Sequence, residues 1–315
     1  MARFVVRRLF SMLVVLFAIS VLTFLIFNVI PGGDPALRMA GRQPDPGQLE
    51  RIREDWGFDE PVYVQYAKTM GHVLSGDLVS YSTQQNVLEE IWKRLGRTFS
   101  LAVGAAILWM AFAIALGLYT AIKAGRIADR LLTILALVGI SMPVFWVGAL
   151  MNYYIGFEAG VFPYGGYVPL GEDPVDWLYH LVMPWTALAL LFIGVYSRVL
   201  RSNILDTMRE DYVRTARAKG LSERRVLMKH VLRNSLIPVV TLWGLDFGAV
   251  LGGGAILTET VFDLDGVGQY AQESVDRLDV PPVLTVTMLA AFFIVVLNTV
   301  VDIVYAVLDP RIRLT

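Results

Sequence analysis

Six long apolar runs, at 9–30, 98–122, 131–154, 180–200, 236–257 and 283–307, leave this chain few ways to fold. The first is 22 residues long. At ~1.5 Å per helical residue such a run covers roughly 33 Å, enough to cross the hydrocarbon layer of a bilayer. With 56% hydrophobic and 17% charged residues, the chain is too apolar for a soluble domain of 315 residues. The expected fold is therefore all-α, a polytopic membrane protein with six transmembrane helices. The apolar core of a cleaved signal peptide is shorter, about 7–15 residues, so the first run reads as an uncleaved span.

Charge is sorted by loop. The stretches 2–8, 123–130, 198–233 and 311–315 carry 3, 3, 10 and 2 Lys or Arg residues. The short loops 156–179 and 259–281 carry 0 and 1, and the second of these holds six carboxylates. Basic short loops stay in the cytoplasm, so both termini and the stretch 201–235 are expected there. The long polar segment 31–96 carries 10 acidic and 7 basic residues, but long loops translocate largely regardless of charge. It is expected outside, with short helices near 48–55 and 61–74. The division that follows is a tail and first span at 1–30, an extracytoplasmic loop region at 31–97, and a core of five spans at 98–315.

The stretch 211–238 reads DYVRTARAKGLSERRVLMKHVLRNSLIP. So basic a segment cannot enter hydrocarbon and must meet headgroups or another protein. Met208, Tyr212 and Ala216 form a narrow apolar stripe at helical spacing. Gly220 is placed to end that helix in a left-handed turn, and Ser222 to cap the next. Leu227, Val231 and Leu232 give the second helix its apolar face. Such a helix–Gly–helix can dock into a cleft; the plainer alternative is a solvated loop that only sets topology.

Residues 212–221 (YVRTARAKGL) and 230–238 (HVLRNSLIP) resemble the coupling loop, or EAA loop, of ABC-importer permeases, in the form found in the dipeptide/oligopeptide/nickel permease family. Arg214-Thr215-Ala216 stands where the general pattern has Glu-Ala-Ala, a departure shared with that branch. The resemblance extends to PGGDP at 31–35, GFDEPVYVQY at 57–66, SMPVFWVG at 141–148, GGAILTETVF at 253–262 and LDPRIR at 308–313. It implies an ABC importer type I permease fold in the cytoplasmic (inner) membrane. It also implies coupling to ATPases through Tyr212, Arg214, Thr215, Ala216, Arg217, Ala218, Lys219, Gly220 and Leu221. The implied partners are a second homologous permease, two ATP-binding subunits that hold ATP and Mg, and an extracytoplasmic substrate-binding protein. Within that family the cargo is dipeptides, oligopeptides, glutathione-like peptides or nickel chelates.

Other residues invite a role. Asp246 lies mid-span, where a charge is costly unless it faces a wet cavity or a partner. It either lines the translocation path or pairs with a polar group of a neighbouring helix. Asn298, Asp302 and Tyr305 share a face of the last run. Asn298 is a path candidate, and Asp302 reads as structural. Gly244, Gly248 and Gly252 recur every four residues, a spacing that lets helices approach closely. Glu259, Asp263 and Asp265 are expected in an exposed outer loop able to touch a binding protein. Pro143 is expected to kink the third span.

The exclusions are firm. With no cysteine, disulfides and thiolate chemistry are absent. The three histidines, His72, His180 and His230, have no ligand spacing, so no metal site or cofactor is expected in this chain. No P-loop occurs, so ATP hydrolysis is expected elsewhere. A net charge of −1 gives no reason to expect nucleic acid. A secondary transporter would want a buried ion relay and inverted repeats, and neither is evident. A membrane anchor would need no path.

Overall fold

The computed structural model describes residues 2–26, 36–37 and 46–308. The motifs at 31–35 and 309–313 lie outside the described residues, as do the side chains of Asp302 and Tyr305. Helix α1 spans Ala2–Phe24, α2 Pro46–Trp56, α3 Val62–Ser75 and α4 Val87–Ile122. Next come α5, Ile127–Ser141, and α6, Val144–Glu158. Helix α7 spans Pro174–Thr207, and α8 spans Asp211–Ala218. Helix α9 runs Glu223–Gly254, with wider π-type turns over Val226–Leu232 and Val250–Gly254. The chain ends in α10 (Ile256–Val261), α11 (Val267–Asp276) and α12 (Val280–Leu308).

Five of these helices, α1, α4, α7, α9 and α12, are long and apolar enough to cross a membrane, and α5 with α6 make a sixth span if the two count as one. That span is broken more sharply than a kink: α5 and α6 meet at 97° around Met142–Pro143. Pro143 lacks an N–H and clashes with the preceding turn, and Met142 before it takes an extended conformation. Helix α4 also starts ten residues or more before the apolar run. Asn86 caps it by accepting from Glu89 N–H at 3.0 Å. The boundary at 97 therefore falls inside a helix.

The core is the pairing of α4 with α7. Ala102, Ala105, Ala106, Trp109 and Ala113 recur every three or four residues on α4 and are buried with Leu181, Leu188, Tyr196 and Leu200 of α7. Small residues permit this closeness. A Cβ at Gly117 would lie 2.9 Å from the Ser197 carbonyl oxygen, and one at Gly194 would lie 2.7 Å from that of Ala136 on α5. Helix α9 packs on α12, and α1 lies outside against α12 and α3.

The turn at 80–82, just before α4, is tied to the start of α12 by the Asp279 carboxylate. Asp279, 2% exposed, accepts from Ser80 Oγ and Ser82 Oγ, both at 2.6 Å, and from the Tyr81 and Ser82 amides at 3.0 and 3.1 Å. Asp279→Ala is expected to raise hydrogen exchange at 80–86 by roughly tenfold to a hundredfold, the loss of about 1.5–3 kcal/mol in charge-assisted bonds. Exchange in α4 and α7 should be unchanged. Equal protection of the loop in both proteins would refute the tie.

Candidate functional site

The basic segment folds as two helices with a built turn between them. At the end of α8, Gly220 has φ +79°. Its N–H donates to Arg217 O at 2.9 Å, and Leu221 N–H donates to Ala216 O at 3.4 Å. This is a Schellman closure, which satisfies carbonyls that a helix end leaves open and favours glycine at the left-handed position.

The buried face of α8 is Val213 and Ala216. The stripe expected at Met208, Tyr212 and Ala216 thus holds at Ala216 and is corrected at Tyr212, beside which Val213 is the buried residue. The helix begins at Asp211, Met208 belongs to the end of α7, and Tyr212 is 42% exposed. The second helix buries Val226, Val231 and Leu232. Ser222 holds the N-cap position but makes no side-chain cap bond.

Polar bonds lock the two helices and the end of α7 together. The Asn234 amide donates to Tyr212 Oη at 2.7 Å. The buried Ser235 hydroxyl meets Thr207 Oγ1 at 3.0 Å and Asn203 O at 3.2 Å, and Asn203 donates to Ser235 O at 3.3 Å. Arg217 pairs with Glu223 at 2.8 Å across the turn, and Thr215 Oγ donates back to Asp211 O at 2.9 Å. Arg214, Ala218 and Lys219 are exposed, with Arg214 in a loose 3.4 Å pair with Asp211. The result is a cationic outer face on a helix anchored to both long neighbours.

The end of the bundle that carries α10 holds the largest departure. Glu259 does not lie in an exposed loop: it is 1% exposed on α10. Thr258, Glu259 and Phe262 turn inward there, and the carboxylate accepts from Thr98 Oγ1 at 2.6 Å and Gln269 N–H at 3.0 Å. A Cβ at Gly266 would fall 2.4 Å from its Cδ, so that glycine makes room for it. Burial pushes the carboxyl above the usual carboxylate range, opposed by the Thr98, Gln269 and Gly268 hydrogen bonds. Such a buried, hydrogen-bonded group cannot touch an external protein. Asp265 is also engaged, with Arg94 Nε at 2.9 Å and with Arg97. Asp263 is exposed, bonded to Gln269 Nε2 at 3.0 Å.

Within the spans, Asp246 of α9 accepts from Tyr196 Oη of α7 at 2.5 Å. Of the two readings of Asp246, the geometry supports the helix-to-helix tie. Gly244, Gly248 and Gly252 turn to α12: a Cβ at each would meet Val301 at 2.1 Å, Leu297 at 3.3 Å and Ile294 at 2.6 Å. Asn298 lies on α12, its Oδ1 buried without a hydrogen-bond partner among the described residues.

Sequence reasoning missed Asp129. It is 3% exposed at the start of α5, bound by Arg201 Nε at 2.8 Å, Arg201 Nη2 at 2.7 Å and the Gly125 amide at 2.9 Å. The available signal was its standing as the one acidic residue in the basic loop 123–130. Among the described residues, no three of His, Asp or Glu gather as a metal-holding group.

Comparison with known proteins places this geometry. Residues 113–314 match the family described as binding-protein-dependent transport system inner membrane component, and residues 1–102 match its N-terminal region. The glutathione transport system permease protein GsiC of Salmonella paratyphi A is 38% identical over 314 residues, 99% of each chain. The dipeptide transport system permease protein DppB of Alkalihalophilus pseudofirmus is 34% identical over 334 aligned positions, 99% of this chain and 100% of that one. The chain is a multi-pass inner-membrane protein, and it belongs to the family of binding-protein-dependent transport system inner membrane components.

Proposed function

We propose that this chain is one permease subunit of an ATP-driven importer that carries peptides across the cytoplasmic membrane, with both termini in the cytoplasm. In this reading it works with a second homologous permease, two ATP-binding subunits and an extracytoplasmic binding protein. ATP and Mg are held by the ATP-binding subunits, and this chain is not itself catalytic. The relatives named for dipeptide and glutathione transport support the peptide class; a glutathione or nickel-chelate importer is the alternative within the family.

The single observation that carries the reading is the construction of α8. Its inner face is seated by Val213 and Ala216, and burial of a valine side chain is worth about 1.5–3 kcal/mol. Its ends are tied through Tyr212–Asn234 and Arg217–Glu223, while Arg214 and Lys219 face outward. A push on that cationic face would move α7 and α9 as one, because Ser235, Thr207 and Asn203 couple their inner ends. The two spans would then reorient around a central path, opening it to alternate sides. Of Glu259, Asp263 and Asp265, Asp263 is the one that is exposed, as a binding-protein contact requires.

Gly220→Val tests this. A Cβ there meets nothing within 4 Å, so the variant is not blocked by a clash. The left-handed backbone is what valine resists, at a cost of about 1–2 kcal/mol. The assembled transporter is expected to keep at least half its ATPase rate and lose roughly tenfold in peptide uptake, the equivalent of ~1.4 kcal/mol in the coupled step. Uptake at the wild-type rate would contradict the relay.

A further inference from the structure

Between α5 and α7 lies an open cavity of about 950 Å³ that the transport reading does not use. Its charged end is lined by Arg130, Arg198 and Ser202, and its other walls by Ile134, Ile140 and Val195. Arg201 is committed to Asp129, but Arg130 and Arg198 are exposed and join no ion pair among the described residues. Ile134 is 55% and Val195 38% exposed. The deep end is closed where a Cβ on Gly194 would meet Ile140 Cγ1 at 2.7 Å.

The dimensions matter. Arg130 and Ile140 are ten residues apart on α5, about 15 Å along a helix and roughly half the ~30 Å hydrocarbon thickness. The groove is therefore one leaflet deep, cationic at the interface and apolar toward the midplane. We propose that this groove is a binding site for one anionic phospholipid, its phosphate held by Arg130 and Arg198 and an acyl chain laid along Ile134, Val195 and Ile140. Basic pockets between transmembrane helices suit such headgroups. A peptide carboxylate would find the same arginines, but its backbone would meet an apolar wall with nothing to satisfy it. The inference needs only that the chain spans a membrane, and stands apart from the identity of the cargo.

The test uses the complete transporter in phosphatidylcholine vesicles containing a minor fraction of phosphatidylglycerol, extracted, washed and analysed for retained lipid by mass spectrometry. The wild type is expected to retain phosphatidylglycerol far above its bulk fraction. Arg130→Gln with Arg198→Gln should lower that retention at least ~10-fold, about fivefold per arginine lost at a membrane surface. Arg130→Lys with Arg198→Lys should restore most of it, which a misfolded variant would not do. Ile140→Trp, with both arginines in place, should lower retention by filling the deep end. Excess inorganic phosphate should displace nothing. Equal retention in the glutamine variant would overturn the proposal. So would displacement of the lipid by a dipeptide, or crosslinking of Ile134→Cys to the second permease in this cysteine-free chain.

Discussion

Gly104→Ala is expected to remove most of the folded transporter from detergent extracts. Gly104 sits on α4 directly under the Trp185 indole of α7, and an added Cβ would lie 1.9 Å from the ring carbon Cε2. The ring can yield only toward the open cavity that it lines with Ser100, Gly104 and Trp177, and only by giving up its contacts. Its Nε1–H donates to Ser100 O at 2.9 Å, and its edge packs on Trp177 with centroids 5.3 Å apart. The helices must part or the indole must leave its bonds. Overpacking of this kind costs about 1–3 kcal/mol, sometimes more, here within the most extensive helix pairing among the described residues. Gly96→Ala supplies the control, because a Cβ there meets nothing within 4 Å. On the same helix it should be neutral or gain up to ~1 kcal/mol. Midpoints of thermal unfolding, read by size-exclusion chromatography of heated extracts, should separate the two variants by many degrees. Matching midpoints would show that α4 and α7 are not packed as described.

The second large effect is expected toward the C-terminal end of α7. Arg201→Met leaves the Asp129 carboxylate buried, with the Gly125 amide as a remaining hydrogen-bond donor. Removing one partner of a buried pair costs about 3–5 kcal/mol because the other charge is left uncompensated. The adjoining cavity is large enough to admit water, which argues for the lower part of that range. Asp129→Leu combined with Arg201→Met should be milder than Arg201→Met alone, since no orphan charge remains. Purified yield and unfolding midpoint for the single and double variants give the comparison. A double variant no better than Arg201→Met would mean that the pair contributes through something other than charge compensation.

The spans could be read from sequence because membrane crossing is a local property: twenty or so apolar residues suffice, wherever they sit. The turn at Gly220 was legible for a similar reason, since a left-handed helix end is nearly a glycine signature. What failed depended on distant residues. Glu259 stands in a polar stretch that reads as loop, yet its partner Thr98 is 161 positions away, and only Gly266 and Gly268 nearby hint at the room it occupies. The N-terminal extension of α4 was hidden because Glu89, Glu90, Lys93 and Arg94 make it polar. Those charges are satisfied within the helix and by Asp265 across the fold. Val213 was missed because Tyr212, its neighbour about 100° around the helix, fits the four-residue spacing to Ala216 equally well. The 97° turn at Pro143 could be expected only as a bend, because packing against α7 and α10 sets the angle.

The most direct measurement places a single cysteine at Arg214 of this cysteine-free chain and adds a short bifunctional crosslinker to membranes containing the whole transporter. A product joining this chain to an ATP-binding polypeptide is expected, formed to different extents with and without ATP, and accompanied by arrested peptide uptake. Uptake that continues undiminished while Arg214→Cys joins no ATP-binding polypeptide, under conditions where exposed cysteines elsewhere react, would contradict a relay through α8.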